Sequence, residues 1–339
     1  MKKRSLAFLC TLFFLLSSCG ETIPETGYPA PGEEERLVVY TSHKEGVYGP
    51  IIKEFEERTG IWVEVVTGGT NELLERIAGE RDDPNCDVMF GGGVESLQMY
   101  EEQFEPYAGS EADLLKPGLR PEGDRWMPFS SLPVVLIYNT RLVSPGELTG
   151  WADLLEERWQ GKIAFADPAV SGSSYTAAIT MLLCLEGDLW ENLARFQENL
   201  GGNVIEDSGD VVTAVDTGSC LVGVTLEETA LKRRSQGAKI AIVYPAEGTS
   251  DLPDGTALVA GARHRENAVA FLEFVQSADV QAMVVSDFAR RSVCCDVADW
   301  DTMPSEEEIG IIDYDVAWAS GIKEEFLERW SVAGEGEKP

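Results

Sequence analysis

From Leu37 onward the chain repeats one arrangement of apolar and polar positions: a short apolar run, a loop of Gly, Ser and Thr, then a stretch with apolar residues at helical spacing. Leu37-Val-Val-Tyr40 leads through Thr41-Ser42-His43-Lys44 into a segment with Ile51, Ile52 and Phe55 on one face and Glu54 and Arg58 paired on another. Trp62-Val-Glu-Val-Val66 leads through Thr67-Gly68-Gly69-Thr70 to a helix burying Leu73, Leu74 and Ile77. Val88-Met89-Phe90 leads through Gly91-Gly92-Gly93 to a helix around Leu97. Alternation of this kind predicts an α/β fold with a parallel sheet.

A second body follows. Leu132-Pro-Val-Val-Leu-Ile-Tyr-Asn139 is a longer apolar strand, read as a crossover, and Lys162 to Ala166 opens a new series. Its loop, Asp167-Pro-Ala-Val-Ser-Gly-Ser-Ser174, precedes an apolar helix from about Tyr175 to Leu185. Helices near Asp188 to Leu200 and Val211 to Asp216 come next, then strands over Leu221 to Leu226 and Ile240 to Tyr244. Leu258-Val259 is read as the return to the first body, followed by a helix over Glu266 to Phe274. The expected division is lobe one at 37–137 plus about 258–339, and lobe two at 138–257.

The residues before Leu37 follow another pattern. Lys2, Lys3 and Arg4 precede an apolar run from Leu6 to Leu16, closed by Leu16-Ser17-Ser18-Cys19. The run is shorter than the ~20 residues of a membrane-spanning helix, and small residues before a cysteine suit cleavage, so 1–18 is a signal peptide with a lipobox. Lipidation of Cys19 would anchor the mature protein to the outer face of a membrane, at the cell surface or in the periplasm. Residues 19–36, rich in Pro, Gly, Thr and Glu, then form a flexible tether.

Charge narrows the partners. The formal net charge is −32, and loss of Lys2, Lys3 and Arg4 with the leader makes the mature chain more acidic still. Such a surface repels nucleic acid, so no nucleic-acid role is expected. Cys86, Cys184, Cys220, Cys294 and Cys295 are an odd number and cannot all pair within one molecule. Cys184 and Cys220 sit in apolar runs and read as core thiols. Cys294-Cys295 lacks a CxxC spacing and a nearby His, and no metal site is assigned to it.

In open α/β sheets, ligands bind outside the carboxyl ends of the strands, where these Gly, Ser and Thr loops lie. A loop that opens a helix also aims free backbone N–H groups and a positive dipole end at that place. Ser171, Gly172, Ser173 and Ser174 are the sharpest case, with hydroxyls beside helix-start amides suited to a phosphate or carboxylate; Tyr175 follows directly. Helix capping by Ser171 is the plainer role for the same residues. His43 and Lys44 fall in the first strand-end loop. None of these loops is a P-loop or a dinucleotide fingerprint, and no cofactor is expected. There is no GxSxG, HExxH or CxxC motif either, so a non-enzyme is expected, with a lipid-anchored hydrolase as the competing reading.

The order of motifs resembles a known group. Val38-Val39-Tyr40-Thr41-Ser42, Phe55-Glu56-Glu57-Arg58-Thr59-Gly60, Asp87-Val88-Met89-Phe90-Gly91-Gly92, Val135-Leu136-Ile137-Tyr138-Asn139-Thr140, Trp151-Ala152-Asp153-Leu154 and Ala166-Asp167-Pro168 look like the extracellular solute-binding proteins of ABC importers, in the ferric-iron, phosphonate and sugar-phosphate branch. The resemblance runs from about Leu37 to Val297. It implies a two-lobed periplasmic-binding-protein-like clamshell with hinges near Tyr138 and Leu258, working as a monomer with an ABC permease as partner. The solute would be held by Ser42, His43, Thr67, Gly68, Gly69, Thr70, Gly91, Gly92 and Gly93 of one lobe and Ser171 to Tyr175 and Glu227 of the other. Ferric-binding relatives carry an adjacent tyrosine pair where this chain has Thr225-Leu226-Glu227-Glu228-Thr229, and no Tyr-Tyr pair occurs anywhere. A phosphonate or sugar phosphate is therefore expected as the solute, with ferric iron as the alternative. Arg290 and Arg291 match an arginine-rich signature of the group, though Cys294 stands where relatives often have another arginine.

Overall fold

A computed structural model of the chain describes residues 31–300 and 303–334, so the leader, Cys19 and most of the tether lie outside the described residues. Its strands are β1 (Arg36–Thr41), β2 (Trp62–Thr67), β3 (Val88–Gly93), β4 (Phe104–Glu105), β5 (Met127–Asn139), β6 (Ile163–Ala166), β7 (Val204–Ile205), β8 (Val222–Leu226), β9 (Ile240–Val243), β10 (Asp251–Val259) and β11 (Arg291–Ser292). In the first lobe β2, β1 and β3 pair in parallel, and β10 lies antiparallel between β3 and β5. In the second lobe β5 lies antiparallel between β8 and β9, and β8 continues in parallel to β6 and β7. The strand and helix series read from the apolar pattern is thus present, including helices Gly172–Cys184, Leu189–Leu200, Asp210–Thr217 and Arg265–Gln276.

One strand serves both lobes. Met127 to Pro133 of β5 pair with β10, whereas Val134 to Asn139 pair with β8 and β9. The core changes with the pairing: Met127 and Phe129 pack with Leu37, Phe55 and Phe271, while Val134, Leu136 and Tyr138 pack with Trp151, Phe165 and Phe196. Each lobe carries apolar clusters on both faces of its sheet, as expected for sheets covered by helices.

Pairing moves both hinges earlier than the sequence analysis puts them. The first crossing lies between Pro133 and Val134 instead of near Tyr138, and the return lies at Ser250–Asp251 instead of near Leu258. The apolar run continues unbroken through the change of sheet, so hydrophobicity does not mark it. Pro253, Asp254 and Gly255 interrupt the apolar pattern of β10, which hides the start of that strand.

The C-terminal segment also departs from the expected division. Ala319, Phe326 and Trp330 pack in the same cluster as Phe165, Tyr175 and Phe196, so the tail crosses back and covers the second lobe. Cys86, Cys184, Cys220, Cys294 and Cys295 are free thiols; Cys86, Cys220 and Cys294 are buried, Cys184 is half-buried and Cys295 is exposed.

Candidate functional site

Between the lobes lies a cleft of about 640 Å³, within the range of small-molecule sites. Strand ends build both of its walls. Ser42, His43 and Lys44 follow β1; Gly68, Gly69 and Thr70 follow β2; Gly92 and Gly93 end β3. Opposite them, Val170 to Ser173 follow β6 and Glu206 to Ser208 with Asp210 follow β7. The lobes touch at the rim. Gly172 comes so close to Gly93 that a Cβ on it would stand 3.9 Å from the Gly93 amide nitrogen, and Lys44 Nζ lies 3.3 Å from Asp207 Oδ2.

Two full-length helices start on this cleft, Thr70–Gly79 from one lobe and Gly172–Cys184 from the other. Their first-turn amides have no intrahelical acceptor, and no acidic side chain stands in the first turn of Gly172–Cys184. Ser171 caps that helix, its Oγ accepting from the Ser174 amide at 3.3 Å, while Ser173 Oγ bonds only to Ser171 Oγ at 3.0 Å. Gly91 and Gly92 adopt φ of +94° and +112°. Side chains there would also collide: a Cβ at Gly91 would lie 2.9 Å from the His43 ring, and one at Gly92 2.8 Å from Thr70 Cγ2. Glycine therefore lets β3 pass directly beneath the loops that form the first wall.

The floor is a buried charge pair. Arg290 NH1 donates to Asp254 Oδ2 at 2.7 Å and to Ser130 Oγ at 3.0 Å, and Asp254 Oδ1 accepts the Ser130 amide and hydroxyl at 2.9 and 2.8 Å. Arg290 Nε is buried without a partner. Beside it the His43 side chain is 4% exposed, wedged against Phe90 and Phe129, with Nε2 unpartnered and 3.6 Å from Asp254 Oδ2. Burial, and secondarily the Arg290 charge, hold the imidazole well below its usual titration range, so the ring is neutral.

Several expected ligand residues stand elsewhere. Thr67 is exposed on the strand end and does not line the cleft, and Gly91 is covered by His43. Ser174 faces a small neighbouring recess with Thr225 and Thr229. Tyr175 is fully buried in the second lobe and its hydroxyl donates to the Ala319 carbonyl, because the helix turns that position toward the core. Glu227 is the largest correction. Both of its oxygens are taken by Arg291, Nε to Oε2 and NH2 to Oε1 at 2.8 Å each, and Tyr244 donates to it as well. It is neither in the cleft nor a solvated helix-start acid.

Other residues of the cleft were not singled out from sequence. Glu206, Asp207 and Asp210 form an acidic wall after β7, a strand of two residues too short to leave an apolar signal. Asp254 and Thr176 join them, and Thr176 Oγ1 reaches across to Glu95 Oε1 at 2.8 Å. The titratable lining is thus four carboxylates, Glu206, Asp207, Asp210 and Asp254, against Lys44, Arg290 and a neutral His43. Among the described residues no group of three or more His, Cys, Asp or Glu side chains is placed to hold a metal ion, and no tyrosine lines the cleft.

Comparison with known proteins agrees with this architecture. The family model described as bacterial extracellular solute-binding protein matches residues 37–288. Iron uptake protein A1 of Synechocystis is 26% identical over 290 residues, covering 80% of each chain. A probable ABC transporter periplasmic-binding protein of Sinorhizobium fredii is 27% identical over 270 residues, covering 77% of this chain and 75% of the relative. The periplasmic binding protein AfuA from Actinobacillus pleuropneumoniae, solved with fructose-6-phosphate bound, superimposes with a TM-score of 0.80 at 21% identity, covering 89% of this chain and 99% of that one.

Proposed function

Because the chain belongs to the bacterial extracellular solute-binding proteins, a family of transport binding proteins and not of enzymes, we propose that it is the solute-capturing lipoprotein of an ABC importer and that its solute is a small phosphonate or sugar phosphate. The observation that carries the choice of solute is the pair of helix starts, Thr70–Gly79 and Gly172–Cys184, that open on one cleft from opposite lobes with Thr70, Ser171 and Ser173 beside them. Backbone amides and hydroxyls in that arrangement suit an anion. The acidic wall of Glu206, Asp207 and Asp210 gives acceptors for the hydroxyl or amino end of the same molecule. Capture works by closure about the crossings at Pro133 and Ser250: a solute that touches both lobes favours the closed arrangement, because only there are both sets of contacts made.

Anchoring through Cys19 belongs to the same proposal, and Cys19→Ala tests it. That variant is expected in the soluble fraction; retention on salt-washed membranes would refute the anchor. For the solute, native mass spectrometry of protein purified with its endogenous ligand, followed by a thermal-shift panel, is the direct test. The panel contains phosphonates, sugar phosphates, polyamines, thiamine and ferric citrate. Stabilisation by phosphonates or sugar phosphates is expected. A visible phenolate-to-iron band with ferric citrate would instead restore the iron reading, and stabilisation by polyamines alone would assign the acidic wall the leading role.

A further inference from the structure

We propose that Lys323 is a positioning residue for this anion cradle, a buried ammonium delivered by the C-terminal tail that sets the starts of the cradle helices in place in the closed arrangement of the lobes. The inference rests on the anionic-solute reading above and lies outside the matched span 37–288. Lys323 is 3% exposed. Its Nζ donates to Ser96 Oγ at 2.6 Å and Asn71 Oδ1 at 3.4 Å, and stands 5.0 Å from the centre of the Tyr175 ring. Asn71 lies in the first turn of Thr70–Gly79 and Tyr175 in the first turn of Gly172–Cys184, while Ser96 lies in the first turn of the helix Val94–Met99 that follows the Gly92-Gly93 corner. One cation therefore touches the structure behind the Gly68-Gly69, Gly92-Gly93 and Ser171–Ser173 loops, and it does so from both lobes at once.

Among the described residues Lys323 has no carboxylate within ion-pair distance, so its charge is not cancelled by direct contact. The acid that bears on its charge is Glu95, whose Oε1 is already taken by Thr176 at 2.8 Å and the Tyr314 hydroxyl at 2.7 Å. Glu95, Tyr175 and Tyr314 are the titratable groups facing the ammonium from the elements packed on it. Burial lowers the Lys323 ammonium below the ordinary lysine value and Glu95 opposes that shift. A second observation points to a ligand on the cleft side of the same assembly: His43, its side chain 4% exposed, lines the cleft with Nε2 unpartnered. Glu95, buried and bonded to the cleft residue Thr176, offsets the ammonium charge on the cleft side, so Lys323 acts on a bound anion through the placing of Asn71, Ser96 and Tyr175.

The test uses the full mature chain with Lys323→Met and Lys323→Arg. Calorimetry with 2-aminoethylphosphonate, fructose 6-phosphate and inorganic phosphate is expected to show at least a tenfold loss of affinity in Lys323→Met for whichever probe the wild type binds, with partial recovery in Lys323→Arg. Amide shifts of Asn71, Ser96 and Tyr175 in the ligand-free protein, followed from pH 7 to 11, are expected to move with one shared midpoint that is lost in Lys323→Met. A purely structural lysine would lower stability and leave the affinity of the folded fraction unchanged, and that result overturns the proposal. If none of the probes binds the wild type, the solute reading falls and the amide titration alone decides: separate midpoints, or a titration that survives in Lys323→Met, overturn the positioning role.

Discussion

Arg291 and Glu227 meet across the hinge, each 1% exposed, in a two-pronged pair with both contacts at 2.8 Å. Arg291 lies on β11 beside Ser131 of the first lobe, and Glu227 begins the helix that follows β8 of the second. The guanidinium also donates to the Pro304 carbonyl, and Tyr244 donates to the carboxylate, so the burial of both charges is matched by hydrogen bonds on each side.

Breaking that pair from one side strands a buried charge. Glu227→Ala is expected to lower unfolding free energy by about 3–5 kcal/mol in a urea titration. The affinity of the folded fraction for its solute should change little. A variant with wild-type stability and abolished binding would return Glu227 to the cleft.

Ser171 and Ser173 separate capping from recognition. Ser171→Ala removes the cap of Gly172–Cys184 and is expected to cost about 1 kcal/mol of stability. Ser173→Ala removes a hydroxyl whose single protein partner is Ser171, so it should leave stability nearly intact. Each hydrogen bond to a charged group is worth ~1.5–3 kcal/mol, so the same change should weaken binding of a phosphorylated solute tenfold or more by calorimetry. Equal affinities for wild type and Ser173→Ala would remove the hydroxyl from the site.

At Gly92 conformation and space act together. Its φ of +112° is one that L side chains rarely adopt, and a Cβ would press on Thr70 at 2.8 Å. Gly92→Ala is expected to destabilise by about 1–3 kcal/mol and to displace Thr70, which a thermal melt and a binding isotherm read independently. Wild-type values for both would show that the corner tolerates a different backbone.

The neutral state of His43 makes a pH prediction. Its folded-state value lies well below 6.5, so the unfolded chain takes up a proton first as pH falls. The stability that His43 contributes is complete above about pH 6.5 and declines as pH falls toward the folded-state value. Stability of wild type minus that of His43→Gln, measured by denaturant titration from pH 7 to 5, should fall by up to about 1.4 kcal/mol per pH unit. A difference that rises as pH falls would mean that the cleft favours a charged imidazole, and a flat one that burial leaves His43 unshifted; either overturns the prediction.

Local periodicity carried much of the fold and little of the chemistry between lobes. The runs Leu37–Tyr40, Trp62–Val66 and Val88–Phe90, with the loops after them, are self-contained signals, because each helix covers its own strand. Ser42, His43, Gly68, Gly69, Thr70, Gly92, Gly93, Ser171, Gly172 and Ser173 were legible as candidates since strand-end loops of a parallel sheet converge. Glu227 was misread because its partner Arg291 sits in a strand of two residues far along the chain. Asp254 was missed inside a strand disguised by Pro253 and Gly255. Phe326 and Trp330 show helical spacing, but spacing does not tell which lobe a helix covers.

The chain passes between the lobes at Pro133, at Ser250 and again in the tail that brings Ala319, Phe326 and Trp330 to the second core. Neither half is therefore a contiguous stretch of polypeptide, and the second cannot be completed until synthesis has passed Trp330. A ribosome-bound or proteolysed chain ending near residue 300 would carry an open apolar face on Phe165 and Tyr175, the kind of surface that chaperones hold. The order of assembly is thus tied to the helix that carries Phe326 and Trp330.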